Sequence, residues 1–276
     1  MKFNAFLKNI HTGFTHHKVG DFEFMTIPSF DEKITHCFTT RHGGVSEGGF
    51  ESLNFSFGRE SNTENIKKNF KIVSDTLGIN PGDIVLDNYD HSPYVLACDK
   101  THKGKGVYNN MDLPKCDGLA TKTKQLPLVT MHADCAPIFF YDSKNLAVCV
   151  CHAGWRGVVG GIVKNALDLL INVYGSKLDD INIGVGPLIR SCCFEIQADL
   201  ESVFLKEFGD FSVEYRKGKM FGDLEKGILF RLFSYGVKAK NVTCAKACTC
   251  CGDETFFSYR RQGADGGAMA SFIMIK

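Results

Sequence analysis

The stretch 132-HADCAPIFFYDSKNLAVCVCHAGWRGVVGG-161 carries two apolar runs, "PIFFYD" (137–142) and "LAVCVCH" (146–152), on either side of the turn-forming "DSKN". It reads as a hairpin of two buried strands. The small-residue turn "AGWRG" then leads into a helix beginning near Val158. With Ser143–Lys144 as a two-residue loop, Cys135 and His152 stand opposite each other at the strand ends, Cβ atoms ~5 Å apart. A thiolate and an imidazole at that distance can share a zinc ion or form a Cys–His catalytic pair. The competing reading is a buried thiol beside a hydrogen-bonded strand-end histidine. The register decides between them, since a one-residue slip puts the two side chains on opposite faces. A helix N-terminus just beyond favours an anion nearby.

Working outward, further short apolar runs predict strands at 22–27, 34–40, 83–87, 127–132, 181–186 and 270–276. Helical periodicity marks 62–78, with Ile66, Phe70, Val73 and Leu77 on one face, Asn62 as N-cap and Gly78 as stop. It also marks 158–175, 197–209 and 223–236. The elements alternate irregularly, and several strands lie close enough in sequence for hairpins. That favours an α/β (α+β) fold of mixed sheets with helices outside, over a regular parallel wheel. No repeat or Pro/Ser-rich linker divides the chain, so residues 1–276 are expected to form a single domain.

The composition narrows the function. The chain has 276 residues, 44% hydrophobic, with 32 Lys+Arg against 31 Asp+Glu and a formal charge of +1. No strong field attracts nucleic acid or a membrane surface, so a small-molecule partner is expected. The first residues hold no long apolar run and no stretch approaches the ~20 residues of a spanning helix, so the protein is expected to be cytoplasmic. Its 12 cysteines are then not a disulfide framework. Cys37, Cys149 and Cys151 sit in apolar runs and read as core.

Cys135 and His152 need a third ligand. His91, in a turn with Pro93, and His42 and His36 are candidates, and the residues alone do not choose between them. His132 is disfavoured by strand alternation. The glycine-rich segment 39-TTRHGGVSEGGFESLNFS-56 follows a strand but opens no helix, so it is neither a dinucleotide nor a P-loop motif. It reads as a tight loop with Arg41 at its root, either solvated or holding a carboxylate or phosphate as a planar fork.

Together these segments resemble one family, known as the laccase-domain or multicopper polyphenol oxidase family, the peptidoglycan editing factor family, and the zinc-dependent purine nucleoside phosphorylases. "TTRHGGVSEGGFESLNFS" is similar to its R-x-G-G-x-S…S-L-N segment, which contains Arg41 and Asn54, and "CDGLAT" (116–121) to its D-[AG] segment. "ADCAPIFFYD" and "AVCVCHAGWRG" resemble its paired A-D-C-x-P and H-A-G-W-R-G motifs. "GVGPLIRSCCFEI" and "CTCCGDETFFSYRRQG" resemble its remaining two motifs. The resemblance covers nearly the whole chain from residue 39. It implies a zinc ion on His91, Cys135 and His152, leaving one coordination position open. It also implies a layered αββα sandwich, distantly similar to the catalytic domain of cytotoxic necrotizing factors. The implied activities are phosphorolysis of adenosine, inosine and methylthioadenosine, plus adenosine deamination, with a nucleoside and phosphate as partners. The chain departs from the pattern at Tyr89 (Gln in the family), Gly267 (Arg) and Ile228 (Asn).

In this reading Cys135 and His152 serve catalysis as ligands, and Asp134 is a proton carrier or a partner of the ligand shell. Arg41, Asn54 and Arg156 bind substrate. Two alternatives remain. One is a metal-free hydrolase with Cys135 as nucleophile and His152 as base, acting on an amide or a peptidoglycan precursor. The other is a copper-dependent polyphenol oxidase, which ranks low because multicopper sites use H-x-H pairs and this chain has none. The H-x-E…P-C-x-x-C deaminase pattern is also absent, so any deamination needs another arrangement. Finally, "NVTCAKACTCCG" (241–252) crowds four cysteines together. No second C-x-x-C partners it, so Cys244, Cys250 and Cys251 read as incidental, while the resemblance, through the family's C-T position, implies that Cys248 lies near the active-site pocket.

Overall fold

The computed structural model describes residues 2–252 and 254–276. Alternation along the strands explains its layers. In strand Ala136–Asp142, Ile138 and Phe140 face one apolar core while Phe139 and Tyr141 face another. In Ala147–Ala153, Cys149 and Cys151 share the first core and Val148 and Val150 the second. Cys149 and Cys151 are therefore core residues, as expected.

The strands form two large mixed sheets. A seven-stranded sheet runs in the order His11–Thr12, Val242–Cys244, Ile181–Val185, Ala136–Asp142, Ala147–Ala153, Gly118–Thr121, Val95–Ala97. A six-stranded sheet runs Thr15–Val19, Phe22–Thr26, Ile34–Thr39, Met269–Ile275, Leu128–His132, Val85–Leu86. They pack face to face, Phe139 and Val150 of one against Phe38 and Ile273 of the other. Helices Ile162–Asn172 and Leu224–Tyr235 cover the outer face of the first sheet, and helix Thr63–Leu77 that of the second. This is the expected αββα sandwich. A small three-stranded sheet, Glu195–Ile196, Lys219–Gly222 and Val213–Arg216, flanks it.

Three expectations need correction. The hairpin loop is four residues, not two, because Ala147 pairs with Asp142. His152 therefore lies opposite Pro137, and Cys135 lies beyond the ladder at the level of Gly154. The partner of each residue moves by two positions, which keeps every side chain on its expected face. The helix predicted at 158–175 is two pieces: Trp155–Gly160, then Ile162–Asn172 after Gly161 at φ +100°. Asn62 sits at the N-cap position of its helix without a side-chain cap, whereas Asp223 caps the last long helix by accepting from the Lys226 amide. The short strands 95–97, 118–121, 213–216 and 219–222 are too brief to show a period in sequence.

Phe139 is almost fully buried between the sheets. Phe139→Ala is expected to cost about 3–5 kcal/mol in urea unfolding. Val19→Ala, on an exposed strand, is expected to change stability by less than about 0.5 kcal/mol. Equal losses would contradict the two-sheet core.

Candidate functional site

Two chain crossings between the sheets build the site. His91 lies in the segment from Val85–Leu86 of the six-stranded sheet to Val95–Ala97 of the seven-stranded one. Asp134 and Cys135 lie in the crossing from Leu128–His132 to Ala136–Asp142. His152 ends its strand beside both. His91 (φ +66°) and Asp134 (φ +84°) adopt the left-handed backbone. That conformation is uncommon outside glycine, and it persists only where the surroundings fix it.

Asp117, immediately before strand Gly118–Thr121, fixes the first crossing. Its buried carboxylate accepts from the amides of Asp90 (3.0 Å), His91 (3.0 Å) and Ser92 (2.8 Å) and from the Ser92 hydroxyl. It also takes Nδ1 of His152 at 2.7 Å. That bond leaves Nε2 of His152 for other partners. The ligand atoms of His91, Cys135 and His152 all lie within 4.8 Å of one another. Gly154 keeps the space clear, since a Cβ there would stand 2.9 Å from the Cys135 sulfur and 3.2 Å from His91 Cδ2. Two imidazoles and one thiol, one imidazole oriented by a carboxylate, make a donor set that fits a borderline-soft metal ion.

The electrostatics agree. Burial alone would push the Cys135 thiol up, but the charge and hydrogen bond of His152, with the hydrogen bond from His91, bring it down to about 6. Burial would lower His152, yet the Cys135 thiolate and the Asp117 bond hold it well above its ordinary value. Asp117 comes down to about 2, the His152 bond outweighing burial. Behind them Asp87 is buried, and burial pushes its carboxyl up to about 8. His132 stays neutral, held down first by burial and then by the His152 charge. Its Nδ1 donates to the Cys135 carbonyl at 3.2 Å, so it braces the site from outside the ligand cluster.

The cluster opens into a cavity of about 430 Å³. Aromatic walls come from Tyr89, Trp155, Phe194 and Tyr259, and two cations, Arg59 and Arg260, also line it. Arg59 donates Nη1 to the carbonyls of Gly266 (3.0 Å) and Gly267 (3.2 Å). Arg260 donates Nη1 to those of Cys193 (3.2 Å) and Glu195 (3.0 Å).

The other residues expected here sit elsewhere. Arg41 stacks on Phe257 and donates Nε to Glu51 O (2.9 Å). Arg156 stacks over Trp155 in the first turn of its helix, which starts at Trp155 and not Val158. Asn54 is fully buried, linking Glu60, the Ser56 amide and the Ala268 amide. None of these three lines the cavity. Asp134 does line it, but its carboxylate takes the Thr249 hydroxyl (2.6 Å), the Ser258 hydroxyl (3.0 Å) and the Arg260 amide (2.7 Å). It anchors the C-terminal segment and makes no bond to the His91–Cys135–His152 cluster. Asp117 and Arg59 are not among the site residues expected from the sequence. The "CDGLAT" motif was a signal for Asp117, while nothing local marks Arg59.

The sequence profile of the "multi-copper polyphenol oxidoreductase laccase" family matches residues 35–276, and the chain belongs to that family. A protein of Bacteroides thetaiotaomicron named purine nucleoside phosphorylase is 31% identical over 247 residues, covering 88% of this chain and 92% of its own. One of the same name from Clostridium acetobutylicum is 30% identical, covering 94% and 98%. Among solved structures, YlmD from Geobacillus stearothermophilus superposes with a TM-score of 0.89 at 26% identity, covering 95% of this chain and 98% of its own.

In metal-free protein, alkylation of Cys135 by iodoacetamide is expected to rise through a midpoint near pH 6, well below the ordinary thiol value of about 8.5. His152→Asn should move that midpoint upward. An unchanged midpoint would contradict the thiolate–imidazolium pair. Gly154→Ala should abolish metal uptake at His91, Cys135 and His152 without unfolding the protein, read as one bound equivalent lost in metal analysis beside circular dichroism.

Proposed function

We propose that this member of the family is a zinc-dependent purine nucleoside phosphorylase, cleaving adenosine, inosine or methylthioadenosine with phosphate to free base and ribose 1-phosphate. The carrying observation is one cavity that joins a His91–Cys135–His152 cluster, two arginines and aromatic walls. The names of the relatives support the reaction class. The volume lies in the range of small-molecule sites, about 300–1,000 Å³. Tyr89 and Trp155 offer faces on which a purine stacks. Among the described residues, only Nη1 of Arg59 and of Arg260 is committed to protein carbonyls, so each guanidinium can turn its remaining donors to a phosphate. These two arginines take the substrate role that the sequence assigns to Arg41 and Arg156. Asn54 acts through position, tying Glu60 and Ala268 around Arg59. Asp134 likewise positions the Arg260 backbone.

At His91, Cys135 and His152 a bound zinc ion would supply Lewis-acid polarisation of a substrate oxygen. Asp117 keeps the His152 ring in one tautomer by accepting from Nδ1. The apolar side chains Met131, Ile189 and Leu224 exclude water from the same space. A phosphate oxygen attacks the anomeric carbon, the glycosidic bond breaks, and the purine leaves with its bonding pair and takes up a proton. Adenosine deamination is a second activity of the same site in this proposal. Zinc is favoured over a multicopper centre because the chain holds no H-x-H pair.

A metal-free Cys–His hydrolase is the second reading. The lowered Cys135 thiol beside a His152 that is itself held by Asp117 favours it.

The test is phosphate-dependent release of hypoxanthine from inosine, before and after chelation, with adenosine and phosphate-free controls. Activity should require both phosphate and metal and should vanish in Cys135→Ala. Full activity in metal-free protein would overturn the proposal, and no phosphate-dependent cleavage with or without metal would favour the hydrolase. Arg59→Ala should raise KM for phosphate about tenfold to a hundredfold, the value of a hydrogen bond to a charged group at ~1.5–3 kcal/mol.

A further inference from the structure

A second group of sulfurs lies next to the cavity-lining Phe194, and it includes Cys251, one of the late cysteines that read as incidental. Cys192, Cys193, Cys248 and Cys251 place their sulfurs within 4.8 Å of one another, with Cys192 and Cys251 at 3.6 Å. The missing partner for the Cys248/Cys251 C-x-x-C pair is the vicinal Cys192–Cys193, which comes from a different part of the chain. The two segments are zipped together: Leu188 N donates to Ala247 O (3.3 Å) and Thr249 N to Leu188 O (3.1 Å). All four thiols are free of disulfides.

The turn itself has the shape of a metal-binding loop. Gly252 N donates to Cys248 O at 3.0 Å, and a Cβ at Gly252 would stand 2.7 Å from that oxygen. Around a tetrahedral zinc with Zn–S of ~2.3 Å, sulfurs lie ~3.8 Å apart. The four sulfurs, already within 4.8 Å of one another, stand close to that spacing. Cys192 and Cys251 are exposed, which gives an ion a path in. Arg260 and Arg261 reach the carbonyls of Cys193 and Cys250, so cations border the charge that four thiolates would carry.

We propose that Cys192, Cys193, Cys248 and Cys251 form a second, structural site for a zinc-like ion, closed by four thiolates. The ion clamps the two loops that make one wall of the cavity. Phe194 lines that wall, Cys193 and Glu195 hold Arg260 through their carbonyls, and Thr249 holds Asp134. This proposal does not rest on the nucleoside reading.

The experiment is a Co²⁺ titration of reduced, metal-stripped Cys135→Ser protein, in which the only thiolate of the His91–Cys135–His152 cluster is gone. One equivalent of Co²⁺ should bring up thiolate-to-cobalt charge-transfer absorption with tetrahedral ligand-field bands, and Zn²⁺ should displace it. In the same background Cys192→Ser/Cys251→Ser, at two exposed positions, should abolish the absorption, and Cys250→Ser should leave it intact. As a check independent of Cys135→Ser, zinc-loaded wild-type protein should hold one equivalent more than Cys192→Ser/Cys251→Ser. The proposal is overturned if no such band appears, if it survives in Cys192→Ser/Cys251→Ser, or if the two proteins hold equal zinc. It is equally overturned if the four thiols form a disulfide on air exposure that Zn²⁺ does not suppress.

Discussion

The carboxylate of Asp117 is the contact on which the rest of the site depends. It is buried beneath the loop that carries His91, takes the amides of three consecutive residues of that loop, and takes the ring of His152 as well. One side chain thus sets the backbone that aims the first imidazole and the tautomer of the second. A buried carboxylate survives only if its acceptors are filled, and the protein fills them with the groups whose position matters. The main chain adds to this: the His152 amide donates to the Asp117 carbonyl at 2.6 Å.

The cost of this arrangement is visible in the backbone. His91 and Asp134 are both left-handed, at about 1–3 kcal/mol each for such conformations. Both lie in crossings between sheets, where the chain must turn sharply and still present a side chain. Asp117 holds one crossing in place and the Thr249 and Ser258 hydroxyls hold the other through Asp134. The αββα sandwich matters to the chemistry for this reason: it brings two sheet-to-sheet crossings and one strand end to the same edge.

Much of this is legible in the sequence, and the parts that are not share a cause. Phe139 and Val150 declare a buried hairpin by composition, and the parity of strand alternation keeps Cys135 and His152 on their expected faces even though the loop is two residues longer than expected. His91 is not reachable by periodicity, because its position depends on which sheet each flanking strand joins. Arg59 is likewise silent. It lies beside Glu60, which Ser46 and Asn54 hold, and donates to Gly266 and Gly267, far from it in the chain. Arg41 and Asn54 carry a motif and serve the glycine-rich loop, and the motif alone does not distinguish positioning from contact. The late cysteines look incomplete in one dimension because Cys192 and Cys193 lie far from them in the chain.

Asp117 aligns His91 and His152, two of the three proposed zinc ligands. The most direct measurement is the zinc affinity of Asp117→Asn, by competition with a chromophoric chelator, alongside its phosphate-dependent cleavage of inosine. The Asn side chain keeps the shape but loses the charge and half of the acceptors, so both quantities should fall by about 10–100-fold, the range for a carboxylate that orients a ligating histidine. Wild-type affinity together with wild-type cleavage in Asp117→Asn would contradict this role of Asp117.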